Sequence, residues 1–419
     1  MNDLVPEGWI LGKLTDFSEI NPKLNQPTAL TEQLSVSFIK MEDVSNSARV
    51  VNKRLRKYID VSKGFTKFND HDVLVAKITP CFENGKGGYA EELINGVGFG
   101  STEFHVLRAK SKADSKFLYH YSNYSSFRLD AEASMCGTGG QRRVQTDFLR
   151  TYKVVFPPLP EQQKIAKILT SVDEVIEKIQ AQIDKLKDLK TGMMQELLTN
   201  GIDHAEFKDS PVGRIPAEWS VLKISELCSH VVDCVNKTAP VVDFKTPYKM
   251  IRTTNVRHGR VDTENVRCVT KETFELWTRR LLPENGDLIF TREAPVGECG
   301  ILKDSRGVFL GQRTMMYRAS KAKTSAEFLM YSIMSDYGKQ QLEDFSGGST
   351  VGHMRVPDCG KILIKTPPID EQAKIVKLLG SVDTSILIKE KKLAKIIHSK
   401  KALMQDLLTG KVRVKVDSE

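Results

Sequence analysis

The sequence predicts an α/β (α+β) protein with two tandemly duplicated mixed domains. They are joined and separated by two long antiparallel coiled-coil helices in a pseudo-two-fold arrangement. Three observations predict it: a long internal repeat, heptad spacing inside the repeat, and short strand-like runs in front of each copy. PPLPEQQKIAKILTSVDEVIEKI, from Pro157, returns as PPIDEQAKIVKLLGSVDTSILIK, from Pro367. Glu161-Gln162 answers Glu371-Gln372, Ser171-Val172-Asp173 answers Ser381-Val382-Asp383, and MQELLT from Met194 answers MQDLLT from Met404, all at an offset of 210 (371 minus 161). VPEGW at Val5 and IPAEW at Ile215 share that offset, so the repeated unit is a whole domain with its helix.

The helices follow from the proline pairs and the periodicity. Pro157-Pro158 and Pro367-Pro368 cannot continue a preceding helix but suit the approach to a new one. Ile165, Val172, Ile179, Leu186 and Met193 recur every seven residues, with Leu169, Ile176, Ile183, Lys190 and Leu197 four residues behind. The second copy gives Ile375, Val382, Lys389, Ile396 and Leu403, with Leu379, Ile386, Leu393, Lys400 and Leu407. These are d and a positions of a coiled-coil seam. About five heptads give helices of roughly 55–60 Å at ~1.5 Å per residue. Two such stripes bury best against each other. Lys190 and Lys400 break the apolar series at equivalent a positions. Each lies near its helix end, so snorkelling to water is the favoured reading, and fixing register is the alternative. The boundaries predicted are 1–156 and 201–366 for the domains (the latter with its linker), 157–200 for the first helix, and 367–419 for the second helix and tail.

The domains read as strands between glycine- and proline-marked loops. DVLVAKI and GDLIF are strand-like, and SKFLYHYSNYSSFRL and SAEFLMYSIMSDYGKQQL each read as one late helix. DVLVAKITPCFENGK aligns loosely with DLIFTREAPVGECG, matching Asp72 with Asp287, Lys77 with Arg292 and Pro80 with Pro295. The helices are alike and the domains in front of them are not. That pattern suits a common frame carrying two different readers.

Composition narrows the function. Of 419 residues, 40% are hydrophobic and 27% charged, as in soluble globular chains, and the formal charge is +9. The excess favours a polyanionic partner, with mere solubility as the plain alternative. Seven scattered cysteines without a C-x-x-C pair suit neither a disulfide framework nor a zinc site of the usual spacing. MNDLVPEGWILGKL lacks the pattern of a signal peptide, and no stretch reaches the ~18–20 apolar residues of a membrane span, so a cytoplasmic chain is expected. Catalytic signatures fail one by one. Gly85-Lys86 has Pro80 where a phosphate loop needs glycine, GVGFGS misses the dinucleotide register, and the dispersed histidines and isolated carboxylates form no metal, hydrolase or nuclease pattern. No catalytic or metal-ligating residue is assigned.

Binding signals are better. Lys53, Arg54, Arg56 and Lys57 cluster in VVNKRLRKYI, and Arg252, Asn255, Arg257 and Arg260 in IRTTNVRHGRV. Arginine and lysine neutralise phosphates, arginine grips guanine bidentately, and asparagine or glutamine grips adenine. Two glycine-rich loops, CGTGGQRRVQ and SGGSTVGHMRV, stand at matching places. Their glycines let backbone approach a duplex, within reach of Gln141, Arg142 and Arg143 in one and Thr350, His353 and Arg355 in the other. Lys77, Lys86, Arg292, Gln312 and Arg313 complete the DNA-facing candidates. Trp9 and Trp219 are expected to pack at the domain entrances rather than to stack on bases.

With the repeat, the PPL-EQ opening and the seam in hand, the chain resembles the DNA-specificity subunit of type I restriction–modification systems over essentially its whole length. FIKMEDVS, ITPCFENGKGG and FGSTEFHVLR look like target-recognition phrases, and YKMIRTTNV, GDLIFTREAPVG and GQRTMMYR are weaker versions. The resemblance implies that each variable domain reads one half of a bipartite, asymmetric site on double-stranded DNA. It further implies that the helices set the gap and dock two methyltransferase subunits, with restriction subunits as further partners. S-adenosylmethionine, ATP and magnesium would belong to those partners, which do the chemistry. A stand-alone two-headed DNA-binding regulator and an interaction scaffold are the alternatives.

Overall fold

The computed structural model describes residues 5–25, 31–138, 140–347 and 352–416. The chain forms two compact units, Met1–Ala181 with Lys391–Glu419 and Gln182–Glu390, so each unit joins one globular part to a portion of both long helices. Those helices, Leu159–Leu197 and Ile369–Leu408, begin directly after the proline pairs.

In the first unit one antiparallel sheet has the order Ser18–Ile20, Phe104–Ala109, Val73–Ala76, Gly87–Tyr89. A second sheet has the order Arg54–Lys57, Ser35–Ile39, Val97–Gly100, Thr66–Asn69, with its middle pair parallel. The run VLVA is buried at every position because the strand is covered on both faces. Strand alternation divides it: Val73 and Val75 join Phe117, Phe156 and Ile165, while Leu74 joins Phe68, Phe104 and Val106. The second unit repeats the device. Leu288 and Phe290 pack with Phe328, Ile364 and Ile375, while Ile289 packs with Ile251, Val308 and Met316. There the main sheet has six strands, in the order Cys228–Asp233, Thr314–Ala319, Leu288–Thr291, Cys299–Ile301, Gly259–Val261, Val256–Arg257.

The duplication is structural. Ile10 pairs with Phe156 and Ser220 with Thr366 in antiparallel ribbons of the same register. Buried Asp72 grips Arg108 at 2.7 Å, and buried Asp287 grips Arg318 at 2.8 Å. Pro80 and Pro295 both follow cis peptide bonds. Each late segment expected as one helix is two: Ser115–Ser122 then Ser125–Ala133, and Ala326–Met334 then Asp336–Ser346. Ser335 explains the second break. Its extended backbone ends one helix while its hydroxyl accepts from the Gly338 amide and caps the next.

Every predicted seam position is buried or half-buried: Ile165, Leu169, Val172, Ile176, Ile179, Ile183 and Leu186 in one helix, and Ile375, Leu379, Val382, Ile386, Leu393 and Ile396 in the other. In the first unit Lys400 Nζ lies 2.6 and 2.8 Å from the Asp173 carboxylate oxygens. In the second, Lys190 Nζ lies 2.7 Å from Asp383 Oδ1. Asp173 and Asp383, like Lys190 and Lys400, are repeat mates, so one antiparallel ion pair is built twice. Snorkelling is thereby corrected: the lysine side chains are only 18% and 15% exposed and reach a carboxylate across the seam.

The domain entrances are latched. Trp9 Nε1 donates to Glu161 (3.2 Å) and Trp219 Nε1 to Glu371 (3.0 Å), with both indoles buried as packing. A nitrogen-bearing side chain from the chain leaving each unit's other helix closes the latch. Arg413 binds Glu161 at 2.7 and 2.8 Å, and His204 Nε2 donates to Glu371 at 2.9 Å. Gly201 and Gly410, both at φ +73, make those turns, and a Cβ on either would press on the tryptophan ring. Gln162 and Gln372 donate to the carbonyls of Pro157 (2.8 Å) and Pro367 (2.9 Å), which accounts for the repeated Glu-Gln.

Candidate nucleic-acid interface

Three segments of the first domain converge at one corner: the end of the Val73–Ala76 strand, the turn before Phe104–Ala109, and the glycine-rich loop. Backbone bonds hold them together. Lys77 N donates to Glu103 O (2.9 Å), Val144 N to Lys77 O (2.9 Å), and Thr79 N to Arg142 O (3.0 Å). The loop closes on itself through reciprocal bonds between Cys136 and Arg143. The second domain builds the same corner. Arg292 N donates to Arg313 O (2.9 Å) and Met354 N to Arg292 O (3.0 Å). These bonds make Lys77 the counterpart of Arg292, Glu103 of Arg313, and Arg143 of His353.

The side chains on the two corners differ. In the first, the Arg143 guanidinium lies along Glu103, with Nε–Oε2 at 3.1 Å and Nη2–Oε1 at 2.9 Å. Those bonds hold the Glu103 carboxyl below the usual carboxylate range, against a smaller upward push from burial. Gln141 and Arg142 are exposed beside it, with Arg142 3.7 Å from Glu83. Behind the loop, His105 Nε2 meets the Val144 carbonyl at 2.8 Å, and burial keeps its pKa below the ordinary value. In the second corner the carboxylate has moved to the strand end. Glu293 stands 3.0 Å from Arg313 Nε in an ion pair and 2.7 Å from His353 Nδ1. Gln312, exposed, accepts from Thr238 Oγ1 at 3.1 Å. Thr350 lies outside the described residues.

The corner thus gathers Lys77, Gln141, Arg142 and Arg143 in one unit and Gln312, Arg313 and His353 in the other. The remaining candidates lie elsewhere or are already engaged. Arg54 is chelated by Asp43 (2.8 Å) and Glu42 (2.6 Å) on the sheet's edge strand, where Arg56 and Lys57 are exposed. Lys53 donates to the Glu91 carbonyl (3.0 Å) and Lys86 to that of Met41 (2.8 Å). Arg257 is spent on the carbonyls of Thr253 and Val256, at 2.6 and 2.7 Å. Arg252 is half-buried, Arg260 is exposed 3.6 Å from Glu390, and exposed Arg355 reaches Asp358 at 2.8 Å. Two expectations are corrected. Asn255 is buried, its amide bonded to Arg252 N (3.1 Å) and Asn265 O (2.9 Å) as the brace of a turn. Arg292 is 7% exposed and bonds the Met354 carbonyl (3.1 Å), so it supports the corner from inside.

Sequence reasoning missed Glu103 and Glu293 because it searched for cations, amides and hydroxyls and passed over carboxylates. The signal was present in STEF and TREAP, where a carboxylate stands at the corner in each repeat. It also missed Arg49, which bonds Asp173 (3.3 Å) and Glu177 and ties the first domain's 45–49 loop to the helix.

The family model for the type I restriction modification DNA specificity domain matches residues 6–188 and again 216–398, once per repeat and over most of the chain. The chain belongs to that family. Its members are DNA-recognition subunits without catalysis of their own, here with two tandem recognition domains. Among specificity subunits of type I restriction enzymes, the chain is 29% identical to MjaVIII of Methanocaldococcus jannaschii over 428 residues, covering 98% of this chain and 94% of the relative. To EcoAI of Escherichia coli it is 34% identical over 196 residues, covering 46% of this chain and 33% of the relative. The crystal structure of an S subunit from M. genitalium shares the fold, with TM-score 0.57, 13% identity and 97% of both chains covered. No helix among the described residues is long and apolar enough to cross a membrane.

Proposed function

We propose that each of the two corners reads one half of a bipartite, asymmetric DNA site and that the long helices set the gap between the halves. The observation that carries this reading is one backbone corner built twice with different side chains. A shared frame gives two readers, and unlike residues give unlike half-sites. The helices would also dock two methyltransferase subunits, with restriction subunits completing the assembly. S-adenosylmethionine, ATP and magnesium belong on those partners in this account. Base modification requires a flipped base, so this chain's part is to hold the duplex in register while a partner acts.

The test is selection from a random duplex library by the chain assembled with its modification subunits. The expected outcome is enrichment of one motif with two dissimilar halves and a fixed gap, with affinity falling steeply as salt rises. Enrichment of nothing, or of a single contiguous motif, contradicts the reading.

A further inference from the structure

We propose that Arg143 reads a guanine in the first half-site and Arg313 a guanine in the second, each aimed by a carboxylate, Glu103 or Glu293. Glu103 and Glu293 are positioning residues in this scheme. The inference rests on the DNA-reading function proposed above.

The chemistry of the guanidinium carries the argument. Arg143 commits Nε and one N–H of Nη2 to Glu103, at 3.1 and 2.9 Å, and one N–H of Nη1 to the Gln141 carbonyl at 3.3 Å. One N–H on each terminal nitrogen remains. That pair matches the O6 and N7 acceptors on the major-groove edge of guanine. The side chain is 38% exposed, so the remaining donors are accessible while the stem is held. Arg313 is ion-paired with Glu293, its Nε 3.0 Å from the carboxylate, and is 49% exposed. Its carboxylate is shared with His353, whose Nδ1 stands 2.7 Å away.

A carboxylate beside the duplex is a poor phosphate-binding device, because it cancels the arginine's charge and with it the gain from counterion release. It is a good base-reading device, because it fixes the plane of the fork that must meet a base edge. The two domains reach this arrangement by different residues. In the first the turn supplies the carboxylate and the loop the arginine. In the second the strand end supplies the carboxylate and the turn the arginine. Two independent routes to a buttressed arginine at one backbone corner argue for a selected feature rather than an incidental surface ion pair.

Library selection with the assembled complex tests this through Arg143→Ala, Arg143→Lys, Glu103→Gln and Arg313→Ala. Arg143→Ala should lose roughly 5- to 150-fold of discrimination at one guanine of one half-site, and Arg143→Lys a smaller part of it, because lysine lacks the planar fork. The other half-site and the slope of affinity against salt should stay as they were. Glu103→Gln should relax the same position by a smaller factor, and Arg313→Ala should relax a guanine of the other half. The proposal is overturned if Arg143→Ala keeps the wild-type preference, or if it weakens all sequences alike while the salt slope drops by about one contact. Should Arg143→Ala fail to fold, Arg143→Met and Glu103→Gln carry the same readings. A wild-type complex that enriches no bipartite motif sinks the function above, whereas a motif untouched by these variants sinks only this inference.

Discussion

His120 is 1% exposed, with Nε2 3.0 Å from Thr170 Oγ1 and Nδ1 without a hydrogen-bond partner. Asp173 stands 3.8 Å from that bare nitrogen, yet burial, helped by nearby Lys400, pushes the imidazole pKa down to about 3. The ring is therefore neutral at pH 7, and the contact with Asp173 is no salt bridge there. The folded value lies below the ordinary one of about 6.5, so between the two the unfolded chain binds the extra proton. The stability at stake is fully present above about pH 6.5 and drains as pH falls toward 3, at up to ~1.4 kcal/mol per unit. Urea unfolding at pH 7 and pH 5 should show wild type losing about 2 kcal/mol more than His120→Asn over that interval. Equal losses would contradict the assignment. Nothing in the sequence singled out this histidine, because its state depends on the Tyr119 ring beside it and on Thr170 and Asp173 of the long helix. Trp9 and Trp219, by contrast, were legible as packing residues, since each repeats at the opening of its domain.

At the scale of the helix, legibility was high and failed at one point. Proline pairs, heptad spacing and the repeat located both helices and all their seam positions, because burial of a stripe is a local pattern. Lys190 and Lys400 were misjudged because their partners, Asp383 and Asp173, sit in the other copy, and register across a seam is not written in either helix alone. The two pairs are expected to pin that register. A double-mutant cycle on Asp173→Ala and Lys400→Ala should give a coupling of about 0.5–3 kcal/mol in urea unfolding. The Lys190 and Asp383 substitutions should add to these without coupling, since they share no partner with them. A vanishing coupling within the Asp173–Lys400 pair would make the lysine a bystander. Asp173→Ala also releases Arg49, so its single-variant cost should exceed that of Lys400→Ala.

For the molecule as a whole, the duplication disclosed the fold plan, and the drifted domains hid the candidate interface. A basic cluster such as VVNKRLRKYI looks like a DNA-facing surface, yet Arg54 spends its charge on Asp43 and Glu42. The corner that both units share is assembled from residues some 60 positions apart, joined by backbone bonds that no single stretch reveals. Only the comparison of the two copies picks it out. Under the proposed function, this chain supplies a two-part address to a methyltransferase. Base-resolution mapping of DNA methylation in the source cell, with the gene intact and deleted, tests that reading. Deletion is expected to erase one bipartite, asymmetric motif and to leave other methylated motifs in place. A map unchanged by deletion, in cells where the chain is expressed, would contradict it.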